Sequence, residues 1–103
     1  MATTDQTSIF SPVQLGPLTL RNRIIKAATF EGMAIDNMVT DAVVDCHRAF
    51  GEGRVGMTTL AYCAVAPDGQ GAPNEIVVRE EAVPGLRYFD EAMHNLDVAA
   101  SSH

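Results

Sequence analysis

The run Leu18-Thr-Leu-Arg-Asn-Arg-Ile-Ile-Lys-Ala-Ala-Thr29 constrains this chain more than any other stretch, because it comes directly after Phe10-Ser-Pro-Val-Gln-Leu-Gly-Pro17. Val13–Leu15 and Leu18–Leu20 flank Gly16-Pro17, which predicts two short strands joined by a tight turn. Residues 23–28 then read as a first buried strand that stops abruptly at small residues, where backbone can lie against a planar ligand.

Beyond residue 28 the chain alternates helix and strand. Thr40 suits an N-cap and Asp41 the positive end of a helix running to about Gly51. Val43, Cys46, His47 and Phe50 fall on one face of it. Asp41, Asp45, Arg48 and Glu52 form a solvated stripe on the other, with pairs expected between Asp45 and Arg48 and between Arg48 and Glu52. Gly53 suits the left-handed residue that ends such a helix, and residues 55–65 read as one strand buried on both faces, which implies a parallel sheet. Residues 67–73 are rich in turn formers, and residues 74–81 fit either a short edge strand or a continuing loop. Between residues 83 and 96, Leu86, Phe89, Met93 and Leu96 make an apolar helical stripe that tolerates Pro84 in its first turn. A third strand is expected over residues 98–101. The fold class is therefore α/β, a hairpin followed by β-α-β-α-β with parallel strands and right-handed crossovers.

Several motifs resolve into structure rather than chemistry. Gly51-Glu-Gly-Arg-Val-Gly56 matches the letters of the dinucleotide fingerprint G-x-G-x-x-G. That fingerprint must leave a strand and open a helix, so that a pyrophosphate meets the helix N-terminus, whereas this one leaves a helix and opens a strand. It is a helix-end turn. His47, His94, His103, Cys46 and Cys63 stand in separate elements without metal-ligand spacing, so structural roles are expected and no metal site is assigned. Asp41 and Asp45 lie on a solvated face, the serines lack a nucleophile-elbow setting, and no catalytic residue is assigned. Seven Lys plus Arg against 13 Asp plus Glu leave a net charge of −6 and no basic cluster, which argues against nucleic acid as a partner. Residues 55–65 are the longest apolar candidate, too short and interrupted for a membrane span. With no secretory leader pattern, a cytoplasmic location and reduced thiols are the expectation. Residues 1–8 read as a flexible leader and residues 9–103 as the folded part.

Two strand ends remain, residues 27–32 and residues 61–64, which share one edge because the strands are parallel; in α/β folds that edge is where ligands bind. Residues 10–33 together with Val39-Thr-Asp41, His47-Arg-Ala-Phe50, Gly53-Arg-Val-Gly-Met57 and Ala82-Val-Pro-Gly-Leu-Arg87 resemble the N-terminal part of the old yellow enzyme family of NADH:flavin oxidoreductases. The resemblance implies an FMN-binding (β/α)8 TIM barrel, with the hairpin plugging its N-terminal mouth. It also implies hydride transfer from NAD(P)H through flavin to an activated alkene or related acceptor. Carried over position by position, Ala28, Thr29 and Phe30 resemble the segment that lies against the isoalloxazine ring. Tyr62 resembles the position whose backbone N–H approaches the flavin carbonyl side. Phe30 stands where that family often has Thr or Cys, and Tyr62 where it usually has Ala or Gly, so backbone rather than a hydroxyl or thiol would tune the flavin there.

A whole barrel of this kind needs roughly 250 residues, so 103 residues read as a partial barrel. The FMN-phosphate segments, the substrate-binding pair and the tyrosine proton donor of the family have no counterpart in them. The first expectation is an N-terminal portion of an FMN-binding oxidoreductase that is not catalytically competent by itself. The alternative is a non-enzymatic half-barrel that self-associates through exposed sheet edges or docks on a longer relative. A small binding domain with a repacked core ranks behind both.

Overall fold

Pairing of Val13–Leu15 (β1) with Leu18–Leu20 (β2) forms the first feature of the computed structural model, which describes residues 8–103. The two strands are antiparallel, with Val13 opposite Leu20 and Leu15 opposite Leu18 around the Gly16-Pro17 turn. The flexible leader expected over residues 1–8 lies, apart from Ser8, outside the described residues.

Three parallel strands form the main sheet in the order β3-β4-β7: Ile25–Lys26 (β3), Met57–Leu60 (β4) and Ala99–Ser102 (β7). Ile25 stands beside Met57, and Met57 in turn beside Ala99. Asp41–Glu52 (α1) connects the first two strands, and Val83–His94 (α2) leads into the third. The β-α-β-α-β order read from the sequence is thus present. Between β4 and α2 the chain adds a small parallel pair, Cys63–Ala64 (β5) with Ile76–Val77 (β6), across a loop containing a short 3₁₀ turn at Pro67–Gly69.

Local chemistry accounts for the helices. Thr40 caps α1 by accepting a hydrogen bond from the Val43 amide at 3.3 Å, and Asp41 sits in the positively polarised first turn. Pro84 lies in the first turn of α2, where its missing N–H breaks no helical bond. The helices cover one face of the sheet. Val43, Val44, Leu60, Phe89, Met93 and Val98 are buried in a single core there, with Leu86 and Leu96 packed against it, so the apolar stripe of α2 faces inward as its spacing predicts. No described helix is long and apolar enough to cross a membrane.

The structure corrects four local expectations. The first strand is shorter than residues 23–28, and Ile25 is half-exposed, because among the described residues β3 pairs only with β4 and burial of an apolar strand needs a second layer over it. The single strand over residues 55–65 is two strands in two sheets, because the chain turns at Ala61 and Tyr62 and hands β5 to β6. The left-handed residue after α1 is Arg54 at φ +74°, whereas Gly53 has φ −75°. The buried face of α1 is Val43, Val44, His47 and Gly51, which leaves Phe50 exposed; the expected Asp45–Arg48 pair is present at 2.8 Å, but Arg48 makes no pair with Glu52 among the described residues. The fingerprint-like glycines do form a helix-end turn: Gly51 is in the last turn of α1, Gly53 is its C-cap and Gly56 precedes β4.

Candidate functional site at the strand ends

Lys26, Leu60 and Ser102 end β3, β4 and β7 at one edge of the sheet, because parallel strands emerge on one side. His103 is tied into that edge by its backbone, its N–H donating to the Leu60 carbonyl at 2.9 Å and its carbonyl accepting from the Cys63 N–H at 2.8 Å. Residues 28–30 behave differently. Among the described residues their backbone groups have no backbone partner, and neither does the Tyr62 N–H. Polar backbone left open at a strand end is available to a ligand.

Each sequence-predicted site residue falls at this edge. Ala28 is half-buried and Thr29 exposed, its hydroxyl 3.5 Å from the Ala27 carbonyl. Phe30 and Tyr62 meet across the gap between the ends of β3 and β4, their rings stacked with centroids 5.5 Å apart and planes 21° from parallel. Offset stacking of this kind satisfies the ring quadrupoles of both partners. The Tyr62 ring also meets the His103 ring edge-on at 6.2 Å. Phe30 and Tyr62 remain 37% and 40% exposed, so aromatic surface is offered at the edge rather than buried in the core. Gly32, at φ +67°, makes this possible. A Cβ there would stand 3.3 Å from the Phe30 ring, and a side chain would oppose both the backbone angle and the ring's place.

Directly behind the platform lies a polar chain that sequence reasoning missed. The Glu31 carboxylate oxygen Oε2 is 2.7 Å from His47 Nε2 and 3.4 Å from Lys26 Nζ, and His47 Nδ1 is 2.7 Å from Thr58 Oγ1. His47 and Thr58 are fully buried, and both ring nitrogens of His47 are therefore engaged. Glu31 Oε1 is buried with no partner among the described residues. The Lys26 ammonium also lies 5.6 Å above the centre of the Phe50 ring. The available signal was positional: His47 follows Val43 by one helical turn, and Thr58 alternates with Leu60 on the strand that α1 covers. Glu31 lies beyond the end of β3, and no periodicity points to it.

On the other side of Tyr62, a cleft of about 300 Å³ is lined by Cys63, Glu75 and His103, among others. Glu75 is buried and accepts from the Gly71 and Ala72 amides at 2.7 and 2.6 Å, which shapes the loop beside the cleft. Partial burial pushes the Cys63 thiol above its ordinary value, and the Glu31 and Glu75 carboxylates push in the same direction. The thiol is consequently held protonated near neutrality, which disfavours a nucleophilic role. Taken together, the edge offers open backbone groups and half-exposed aromatic faces, the features that bind a planar ring with polar margins.

The sequence model of the NADH:flavin oxidoreductase / NADH oxidase family matches residues 8–100. The chain is 49% identical over 94 residues to a 4,4'-dithiodibutanoate disulfide reductase of Rhodococcus erythropolis, a match covering 91% of this chain and 23% of that relative. It is 31% identical over 85 residues to a metal reductase of Desulforamulus reducens, covering 82% of this chain and 13% of the relative. Morphinone reductase superposes with a TM-score of 0.82 at 20% identity, over 98% of this chain and 27% of that structure. An old yellow enzyme homologue from Zymomonas mobilis superposes with a TM-score of 0.83 at 21% identity, over 92% of this chain and 27% of that structure. These likenesses show the fold, which is that of part of a TIM barrel. The chain spans less than a third of the length of each of these proteins.

Proposed function

Because the chain belongs to the NADH:flavin oxidoreductase / NADH oxidase family, we propose that residues 9–103 are the part of an FMN-binding barrel that backs the flavin ring. In this reading the complete enzyme moves hydride from NAD(P)H through the flavin to an activated alkene or related acceptor. When bound, FMN supplies the centre that accepts and returns the hydride. The residues of this chain bind and orient. The open backbone groups at Ala28 and Thr29 would donate to and accept from the ring's polar margin and the Tyr62 N–H would donate to it, fixed dipoles that favour charge on the reduced flavin. The Phe30 and Tyr62 rings keep water from that side.

The observation that carries this reading is the meeting of Phe30 and Tyr62 beside open backbone at the shared strand edge. By itself the span forms a platform and does not turn over substrate. A second reading, an interaction module that pairs through its sheet edge, draws on the exposed Ile24 and Ile25 beside the side of β3 that has no partner strand among the described residues.

Titrating the purified chain with FMN, while following flavin fluorescence, visible absorbance and circular dichroism, separates the two. Saturable binding by a folded, monomeric chain is expected. Folded chain that leaves FMN untouched and assembles with rising concentration overturns the platform in favour of the module.

A further inference from the structure

Glu31 stands between two very different surroundings. The residue before it, Phe30, points its ring at Tyr62 on the open edge, while the Glu31 carboxylate turns back beneath the edge to His47 and Lys26. Gly32 completes the turn with a left-handed backbone. Residues 28–30 make no backbone hydrogen bonds among the described residues, so backbone pairing does not hold the segment where it lies. The nearest fixed points on either side are β3, ending at Lys26, and the Thr40 hydroxyl, which donates to the Met33 carbonyl at 2.8 Å. Between them, Glu31 provides the side-chain tie to the core. Its anchor is rigid, since His47 is fully buried, held at its other nitrogen by Thr58 of β4, and packed edge-on against Phe89 with ring centroids 5.0 Å apart.

We propose that Glu31 is a positioning residue for the aromatic platform, and that the Glu31–His47–Thr58 chain couples the place of Phe30 over Tyr62 to the packing of α1 against β4. The inference rests on the flavin-platform reading for its functional meaning, though not for its structural test. Glu31 acts by fixing the backbone turn that aims Phe30, with its own carboxylate directed away from the stacked rings. A carboxylate suits the task because one oxygen can accept from the imidazole and attract the Lys26 ammonium together.

The test uses the whole chain and two readouts. Proton NMR reports the stack through nuclear Overhauser contacts between the Phe30 and Tyr62 rings, and the FMN titration reports the platform. In the unaltered chain the ring contacts are expected. Glu31→Ala should abolish them while leaving far-ultraviolet circular dichroism unchanged. It should also weaken FMN binding by roughly 10- to 100-fold, the size of effect seen when a supporting partner that orients a binding group is removed. Glu31→Gln, which keeps a hydrogen-bonding oxygen for His47, should restore most of both signals. Ring contacts that survive Glu31→Ala, or that are lost equally in Glu31→Gln, overturn the proposal.

Should Glu31→Ala fail to fold, Thr58→Val takes its place. It keeps a β-branched strand residue and removes only the hydroxyl that fixes His47; weakened ring contacts are expected, and undiminished ones overturn the coupling. An unaltered chain that shows the ring contacts but binds no FMN defeats the flavin reading alone and leaves the positioning role standing.

Discussion

Where the strands of the main sheet begin, Arg21 donates to the carbonyls of Gly51, Val55 and Leu96 at 3.0 to 3.1 Å, and Asn22 donates to that of Arg54 at 2.6 Å. Where the same strands end, residues 28–30 have no backbone partner among the described residues, and an exposed aromatic pair covers the gap. At the first of these ends the Arg21 and Asn22 side chains tie together the last turn of α1, the turn after it and the chain beyond α2, and so join the hairpin to both crossovers. The other leaves the backbone of residues 28–30 and the Tyr62 N–H without backbone partners among the described residues. In the proposed reading the two ends therefore contribute to different properties, the closed end to stability and the open end to binding, as is general for sheets whose ligands sit beyond the strands' carboxyl ends.

The contrast is most sharply tested at Gly56. A Cβ there would stand 2.6 Å from the Asn22 carbonyl oxygen and 2.7 Å from its side-chain oxygen, neither at the end of a long flexible group. Gly56→Ala is expected to cost about 3 kcal/mol of unfolding free energy, read by urea denaturation followed by circular dichroism. A cost near zero would mean that the closed end is not what holds the sheet to the hairpin.

At the open end the corresponding change is milder. Phe30→Ala removes a half-exposed ring and its stack on Tyr62, an interaction worth about 1 kcal/mol, so the denaturation midpoint should move far less than for Gly56→Ala. FMN binding, by contrast, should fall markedly in the same variant. Equal loss of stability from the two substitutions would erase the distinction between the ends.

The smallest effect expected is with pH. The Cys63 thiol is raised above its ordinary 9.0 by burial and the neighbouring carboxylates, so the unfolded chain ionises there before the folded chain does. The stability linked to it is fully present below about 9 and declines as pH climbs from there toward the folded value. Cys63→Ala should flatten that part of the stability profile in alkaline denaturation, and an unchanged slope would place the titration elsewhere.

Features built from neighbours in sequence were legible. The hairpin followed from Gly16-Pro17, the start of α1 from Thr40, and the inward stripe of α2 from Phe89 and Met93. The three glycines from Gly51 to Gly56 were readable as a helix-end turn because strand and helix order is a local property. Legibility failed where distant groups compete. Arg54 rather than Gly53 enters the left-handed region while its carbonyl accepts from Asn22, 32 residues away in sequence. The apolar run over residues 55–65 carried no mark at Tyr62, since a break there depends on β6 being available to pair with β5. Of the site, Phe30 and Tyr62 could be named from the sequence, but not their contact with each other.

Amino-acid order alone was enough for the hairpin, the β-α-β-α-β frame and the family, and with them the edge at which the main-sheet strands end, because turns, caps and apolar periodicity act within a few residues. How that edge is supported was settled in three dimensions. Lys26, Glu31, His47 and Thr58 come from two strands, a turn and a helix, and a buried carboxylate and imidazole are tolerable only as partners that folding brings within 2.7 Å.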